Sequence, residues 1–456
     1  MQRVTKITAS IGPACSDYGV LRRMIAAGVD MCRLNFSHDT GAVQGTKIDM
    51  IRSIARNMDK YVGIIIDLQG PKHRIGNFAT EDKYKIHPGQ KFTFDDNPAP
   101  GDSTRVNMPD TDILRTLRVG ERVLLNDGKI EMRVDATDGH NVVCTVVRGT
   151  EIWSRRGLNF PDSEIKTPVL TAKDMADLEY AITKSPEYVA ISFVGSASDI
   201  GDVRDFITAR TAEPIKIIAK IERAAALNNL SEIVAAADAI MIARGDLAIE
   251  VPFEQVPAIS RRIIRECRKQ NRPVIIATQM LASMVENEFP TRAEISDVAT
   301  AAYLRTDSTM TSDETTIGAN PVVAIETMAR ILNYTDMDTI KNPYDWSDLD
   351  DGAHNDWSRS VASMATLNNA AAIIVFSRDG DAVFDISCRR PDIPIIAVCD
   401  NRMTAAQLSL CRGVCVIYDA NLFATRDAFA VAHVYAINRG HLVIVDDDKI
   451  SLRTIE

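Results

Sequence analysis

Residues 215–250 constrain this chain more than any other stretch: IKIIAKIERAAALNNLSEIVAAADAIMIARGDLAIE reads as strand, helix, strand, with charge planted where each strand stops. The first apolar run ends on Lys220 and Glu222, whose side chains leave an extended chain on the same side. The second ends on Arg244 and Asp246. The helical stretch between them is long enough to carry the chain back to a parallel neighbour, so Glu222 and Asp246 are expected on a common rim. Two carboxylates without a nearby His or Cys suit Mg²⁺ or Mn²⁺ rather than zinc. Lys220 beside them is a point charge for a phosphate or an enolate. Strand-end charges are also commonly solvated, and an acid also favours a helix N-terminus. The unit alone leaves both readings open.

Its recurrence sets the fold class. Strand-like runs followed by helical patterns occur eight times, as TKITA, DMCRLNF, VGIIIDL, YVAISF, IKIIAKI, DAIMIA, PVIIAT and STMTS. Eight such units predict an α/β chain built on a (β/α)8 TIM barrel over 1–75 and 165–335. Thr171 with Asp174, Ser196 with Asp199, and Thr291 with Glu294 have capping-box spacing at helix starts. Polar groups follow every strand: Ser10; Arg33, Asn35 and Ser37; Asp67; Ser192; Lys220 with Glu222; Arg244 with Asp246; Thr278; and Ser312 with Glu314. That end of such a barrel carries the active site. After the third strand, residues 76–164 change to short alternating runs with hairpin turns at Asn126–Gly128 and Asp138–Gly139, which predicts an inserted small β-barrel lid. Residues 336–355 read as a polar linker, and 356–456 as a C-terminal open α/β domain in which no GxGxxG supports a dinucleotide site.

A net charge of −10 argues against nucleic-acid or anionic-membrane partners, so an anionic substrate needs a local basic cluster. No apolar signal core opens the chain and no window has membrane-span length, which points to a cytoplasmic protein. Eight dispersed cysteines form no disulfide framework; Cys411 and Cys415 are placed to share a helix face as core residues.

Six collinear blocks, TKITASIGPA, CRLNFSH, IIAKIE, MIARGDLAIE, ATQMLASM and PTRAEISDVA, show that the whole chain resembles pyruvate kinases. The resemblance implies transfer of a phosphoryl group from phosphoenolpyruvate to ADP, giving pyruvate and ATP, in a cytoplasmic homotetramer. It implies that Glu222 and Asp246 hold Mg²⁺ or Mn²⁺, that Lys220 stabilises the phosphoryl group in flight and the enolate it leaves, and that Arg33 contacts the phosphate. Thr278 matches a threonine tied to enolate protonation, and the amides of Ala243, Arg244 and Gly245 match the turn that grips the substrate carboxylate. Arg74, His38 and Arg156 match nucleotide-site positions, and Ser192 matches the family's fourth strand. Ala248 and Asp313 replace usual glycines, Arg155 and Arg156 replace paired lysines, and Asp162 replaces a glycine. An alternative is a catalytically weak paralogue with a binding or regulatory role, which the intact Lys220, Thr278, Glu222 and Asp246 oppose. A barrel enzyme cleaving carbon–carbon bonds would share the two carboxylates but needs neither Arg74, His38 nor a lid.

Most pyruvate kinases resemble DTKGPEIRT where residues 67–75 read DLQGPKHRI. Their potassium ion sits among the counterparts of Asn35, Ser37, Asp67 and the carbonyl of Leu68. Lys72 replaces the nearby glutamate and Gln69 the usual lysine, so the local charge is the same without an ion. The resemblance is therefore to the potassium-independent type. In the C-terminal domain, Asp379 and Asp381 stand where sugar-phosphate-activated members carry hydroxyls, and residues 445–451 lack the facing loop's glycine and proline, which predicts no activation by fructose 1,6-bisphosphate.

Overall fold

The computed structural model describes residues 3–163, 165, 167–342, 356–446 and 449–455. Eight parallel strands close into a barrel in chain order: β1 Lys6–Ser10, β2 Met31–Asn35, β3 Gly63–Asp67, β4 Tyr188–Ile191, β5 Lys216–Ile221, β6 Ala239–Ala243, β7 Val274–Ala277 and β8 Ser308–Thr311. These are the runs expected from sequence. All three capping boxes form at their helix starts. Met31, Ile65, Ile218, Met241, Ile275 and Met310 fill the interior, while the alternate residues pack outward against the helices.

The barrel floor follows a rule that the strand count did not disclose. An acid stands immediately before each even-numbered strand: Asp30, Glu187, Asp238 and Asp307. Each accepts the backbone N–H of the first or second residue of the preceding strand, from Ile7, Ile64, Ile217 and Val274 at 2.7–2.9 Å. Each also pairs with an arginine: Arg3, Arg52, Arg204 and Arg390 at 2.5–3.2 Å. Strand starts leave donors without ladder partners, and buried donors must be satisfied.

The C-terminal domain closes this floor. Its sheet runs Val414–Tyr418, Ile395–Cys399, Ala372–Phe376, Gly440–Asp446, Lys449–Ile455, with only the last strand antiparallel. That fifth strand, half polar and exposed, was not foreseen. Leu410 packs into the barrel's interior cluster, the Tyr188 hydroxyl donates to the Gln407 carbonyl at 3.0 Å, and Arg390 reaches Asp307.

Two sequence expectations are corrected here. Residues 336–341 are not linker: the helix Pro321–Lys341 runs through them. Its Thr335, Asp336 and Thr339 are buried, and Asp336 accepts from the amides of Val4 and Thr5 and pairs with Arg412 at 2.8 Å. A polar stripe that faces a polar junction reads as solvent-facing linker until the junction is known. The rest of the expected linker, 343–355, lies outside the described residues. Cys411 and Cys415 share no helix face, because Cys411 ends a 3-10 turn and Cys415 lies in a strand; none of the eight cysteines is in a disulfide.

The insert hangs from the other end. Six strands form one sheet and two a ribbon around a single apolar cluster. No ladder among the described residues joins the edge strands Leu158–Asn159 and Arg105–Asn107, so the expected small barrel is an open one. Asn126, Asp127 and Gly128 turn its hairpin with positive φ, as does Gly139 in the next.

Candidate active site

Parallel pairing of β5 with β6 carries the two strand-end carboxylates to one rim, because Lys220 pairs with Met241 and Ile221 with Ile242 in register. Glu222 follows β5 directly, while Asp246 lies in the first turn of the short helix Arg244–Glu250 that β6 feeds. Asp246 lines a cavity with Lys72, His73, Asn159, Phe193 and Glu250. Glu222 is 1% exposed, accepts from Phe193 N at 2.7 Å and lies 2.9 Å from the Lys220 ammonium. Burial pushes its carboxyl up; Lys220 opposes that rise and Asp246 adds to it.

Lys220 is the hub. Its ammonium donates to Ser192 Oγ at 2.7 Å and Asp67 Oδ1 at 3.2 Å, and Ser192 Oγ donates on to the Leu68 carbonyl at 2.8 Å. Burial alone would lower the lysine, but Asp67 and Glu222 outweigh it and hold it above its ordinary value, so it stays charged. Arg33 completes the group, donating to Asp67 Oδ2 at 2.6 Å and Ser10 Oγ at 2.9 Å. Burial would raise Asp67; the Arg33 and Lys220 charges overcome it and hold the carboxyl below its usual range.

Across the rim, Thr278 follows β7 with φ at 71°, a left-handed backbone that a β-branched residue adopts only under constraint. Its Oγ1 accepts from Gly245 N at 2.8 Å, and Arg244 locks the same turn through Asp297 and the Ala277 and Thr278 carbonyls. The helix N-terminus at Ala243–Gly245 is therefore tied to Thr278.

The structure thus gathers Arg33, Asp67, Ser192, Lys220 and Glu222 by direct contact, with Asp246, Thr278 and the 243–245 turn beside them. Asn35 and Ser37 close a turn after β2, where Asn35 Oδ1 accepts from Ser37 N at 3.0 Å. Arg74 is exposed and donates to the Arg155 carbonyl at 3.0 Å; both line a groove between lid and barrel with Lys72, Gly70 and Lys173. His38 and Arg156 do not line that groove: His38 sits on an exposed turn, and Arg156 stacks on Trp153 at 4.7 Å. Lys72 faces the lid hairpin, 4.0 Å from Asp127.

Sequence reasoning passed over His73, Arg223, Glu250 and Asn159. Three of them stand inside or beside quoted motifs, within DLQGPKHRI, after IIAKIE and at the end of MIARGDLAIE. His73 pairs with Asp110 of the lid at 2.9 Å; burial pushes its imidazole down against that pairing.

The pyruvate kinase barrel-domain family matches residues 2–325, and the pyruvate kinase alpha/beta-domain family matches 355–451. The chain belongs to the pyruvate kinase family. It is 35% identical over 447 residues to a pyruvate kinase of Methylorubrum extorquens, covering 94% of this chain and 92% of that one. It is 35% identical over 452 residues to a pyruvate kinase of Geobacillus stearothermophilus, covering 96% of this chain and 76% of that one. The crystal structure of a pyruvate kinase from Cryptosporidium parvum superposes with a TM-score of 0.93 at 27% identity, over 100% of this chain and 97% of that one. As a member of this family the chain is a phosphotransferase.

The replaced glycines fall where no glycine is needed. Ala248 and Asp313 lie in helices without positive φ. Asp162 forms a two-pronged pair with Arg122 at 2.9 and 2.7 Å.

Proposed function

We propose that the chain makes ATP and pyruvate from ADP and phosphoenolpyruvate at the Lys220 rim. The observation that carries this reading is a buried lysine held between Asp67 and Glu222 beside Arg33. Phosphoryl transfer between two polyanions offers little covalent work, so catalysis rests on positioning and charge. The bond from phosphorus to the enol oxygen breaks as one to a terminal ADP oxygen forms. Lys220 meets the charge that develops on the enol oxygen, and Arg33 orients the phosphoryl oxygens. Pyruvate results when the enolate takes a proton at its terminal carbon, by way of a water that the Thr278 hydroxyl would orient. The 243–245 turn orients the substrate carboxylate, and Arg74, with Arg155 and Lys72 in the same groove, holds the nucleotide phosphates.

Glu222 and Asp246 suit Mg²⁺ or Mn²⁺. The donors are oxygens only, and Asp246 already strains Glu222 as a charged neighbour. Such an ion would neutralise phosphate charge and bridge substrate to protein.

Potassium is not required in this reading, and the Asp67, Leu68 and Asn35 oxygens of the usual site already accept hydrogen bonds. Arg33 and Lys220 take Asp67, Ser192 takes the Leu68 carbonyl, and Ser37 takes Asn35 Oδ1. Regulation by a sugar bisphosphate is also absent from it. In the loop after Ala372–Phe376, Asp379 accepts from Ser377 Oγ and Asp381 N, which uses the donors a phosphate needs. The facing segment includes residues 447 and 448, outside the described residues. The family supports a homotetramer in the cytoplasm; no helix among the described residues is long and apolar enough to cross a membrane.

A coupled assay for pyruvate with and without ADP tests the reaction; no ADP-dependent pyruvate would end the reading. Replacing potassium with sodium or a large organic cation at constant ionic strength should leave activity unchanged, and Lys72→Glu should create a potassium requirement. A strict requirement in the unaltered protein would defeat that part.

A further inference from the structure

Each rim carboxylate has a neighbour that grips the segment by which the lid returns to the barrel, at Ile165 and at the strand Leu158–Asn159. Arg223, next to Glu222, donates to the Ile165 carbonyl at 3.1 Å. Glu250, one turn beyond Asp246 in the helix Arg244–Glu250, accepts from Asn159 Nδ2 at 3.0 Å. Residues four apart on a helix share a face, so Asp246 and Glu250 both turn toward the cavity that Asn159 also lines. A helix of seven residues has little stability of its own, so its anchors set its orientation. Its first turn is held by Arg244 through Asp297 and Thr278, and its last by Glu250 through Asn159 of the lid and the Ala224 backbone N–H.

We propose that Glu250 is a positioning residue that couples the lid's return strand to Asp246, so that the carboxylate is aimed for a divalent cation only while Asn159 is seated. The inference rests on the reading of Glu222 and Asp246 as the metal pair. A partner that orients a ligand in this way is worth about tenfold in metal affinity. Glu250 acts through its acceptor oxygen, which Gln retains and Ala does not.

The test is Mn²⁺ binding to the full chain, followed by electron paramagnetic resonance without substrates, with hydrogen exchange over the return strand as the second readout. Glu250→Ala and Asn159→Ala are each expected to raise the Mn²⁺ Kd about tenfold. The double variant should be no weaker than Glu250→Ala, because that variant already removes the link to Asn159, and Glu250→Gln should stay within about threefold of the unaltered protein. Exchange over the return strand should rise in both alanine variants and not in Glu250→Gln. Additive losses in the double variant would overturn the coupling, and a Glu250→Gln as weak as Glu250→Ala would make the carboxylate a direct ligand instead. Should Glu250→Ala fail to fold, Asn159→Ala on the lid with unchanged Kd overturns the proposal by itself. An unaltered protein that makes pyruvate with ADP but shows additive losses sinks this inference alone; one that binds no Mn²⁺ sinks the metal pair with it.

Discussion

At the floor of the barrel one arrangement repeats around the ring: an acid before each even strand closes a backbone donor and meets an arginine. At the rim no acid–arginine unit repeats in this way, and beside Arg33 and Arg244 stand a lysine and carboxylates that burial or neighbours displace from their ordinary titration. The difference lies in what each charge can do. An arginine cannot shed its proton, so a buried arginine pair is a permanent joint. Arg390 and Asp307, 1% and 0% exposed, fasten the C-terminal domain in this way. The rim must accept a charge, pass it and release it, and the lid meets it through partly exposed polar contacts.

The largest effect should come from breaking the floor. Asp307→Ala strands the Arg390 guanidinium without its carboxylate, leaving only the Ser387 carbonyl, and should cost about 3–5 kcal/mol in urea unfolding. A loss of under about 1 kcal/mol, the scale of a surface pair, would erase the contrast. At the rim, Lys220→Met should lower kcat by about 10²–10³-fold with a smaller loss of stability. There Glu222 can take up a proton and Asp67 keeps Arg33. Equal destabilisation by the two variants would show that the rim is as structural as the floor.

Glu187 sharpens the comparison as the floor's titratable exception. Burial pushes its carboxyl up to about 7, with Arg52 only partly opposing it. A folded carboxyl raised above its unfolded value binds its proton more tightly in the native state. Stability is therefore greatest with Glu187 protonated and falls as pH rises from the ordinary carboxylate range through about 7. Glu187→Gln keeps an acceptor for Ile64 N and should flatten that slope in urea midpoints taken between about pH 5 and pH 8; an unchanged slope would assign it elsewhere. The smallest effect belongs to the lid. Asp127, 65% exposed and 4.0 Å from Lys72, should change stability by less than about 0.5 kcal/mol on replacement by Asn, which removes the charge and keeps a residue suited to the positive φ there. A larger cost would mean that the lid is clamped rather than hung.

The sequence by itself determined the eight strands, the closure they imply and the polar groups that end them, because strand periodicity and strand-end charge are local properties. It also placed Glu222 and Asp246 on one rim, since parallel neighbours with matched lengths leave no other arrangement. It even contained the floor rule, an acid directly before each even strand, but a lone acid before an apolar run has no visible partner until the preceding strand and a distant arginine are in place. The helix to Lys341 shows the same limit, where polar residues that read as linker are buried against Arg412 and Thr5. Asn159 and Glu250 are 91 residues apart in the chain and become neighbours only when the lid folds back over the barrel. Composition and periodicity report what each residue does to its own segment; the pairing of distant charges is settled only by packing, because desolvation makes each depend on the other.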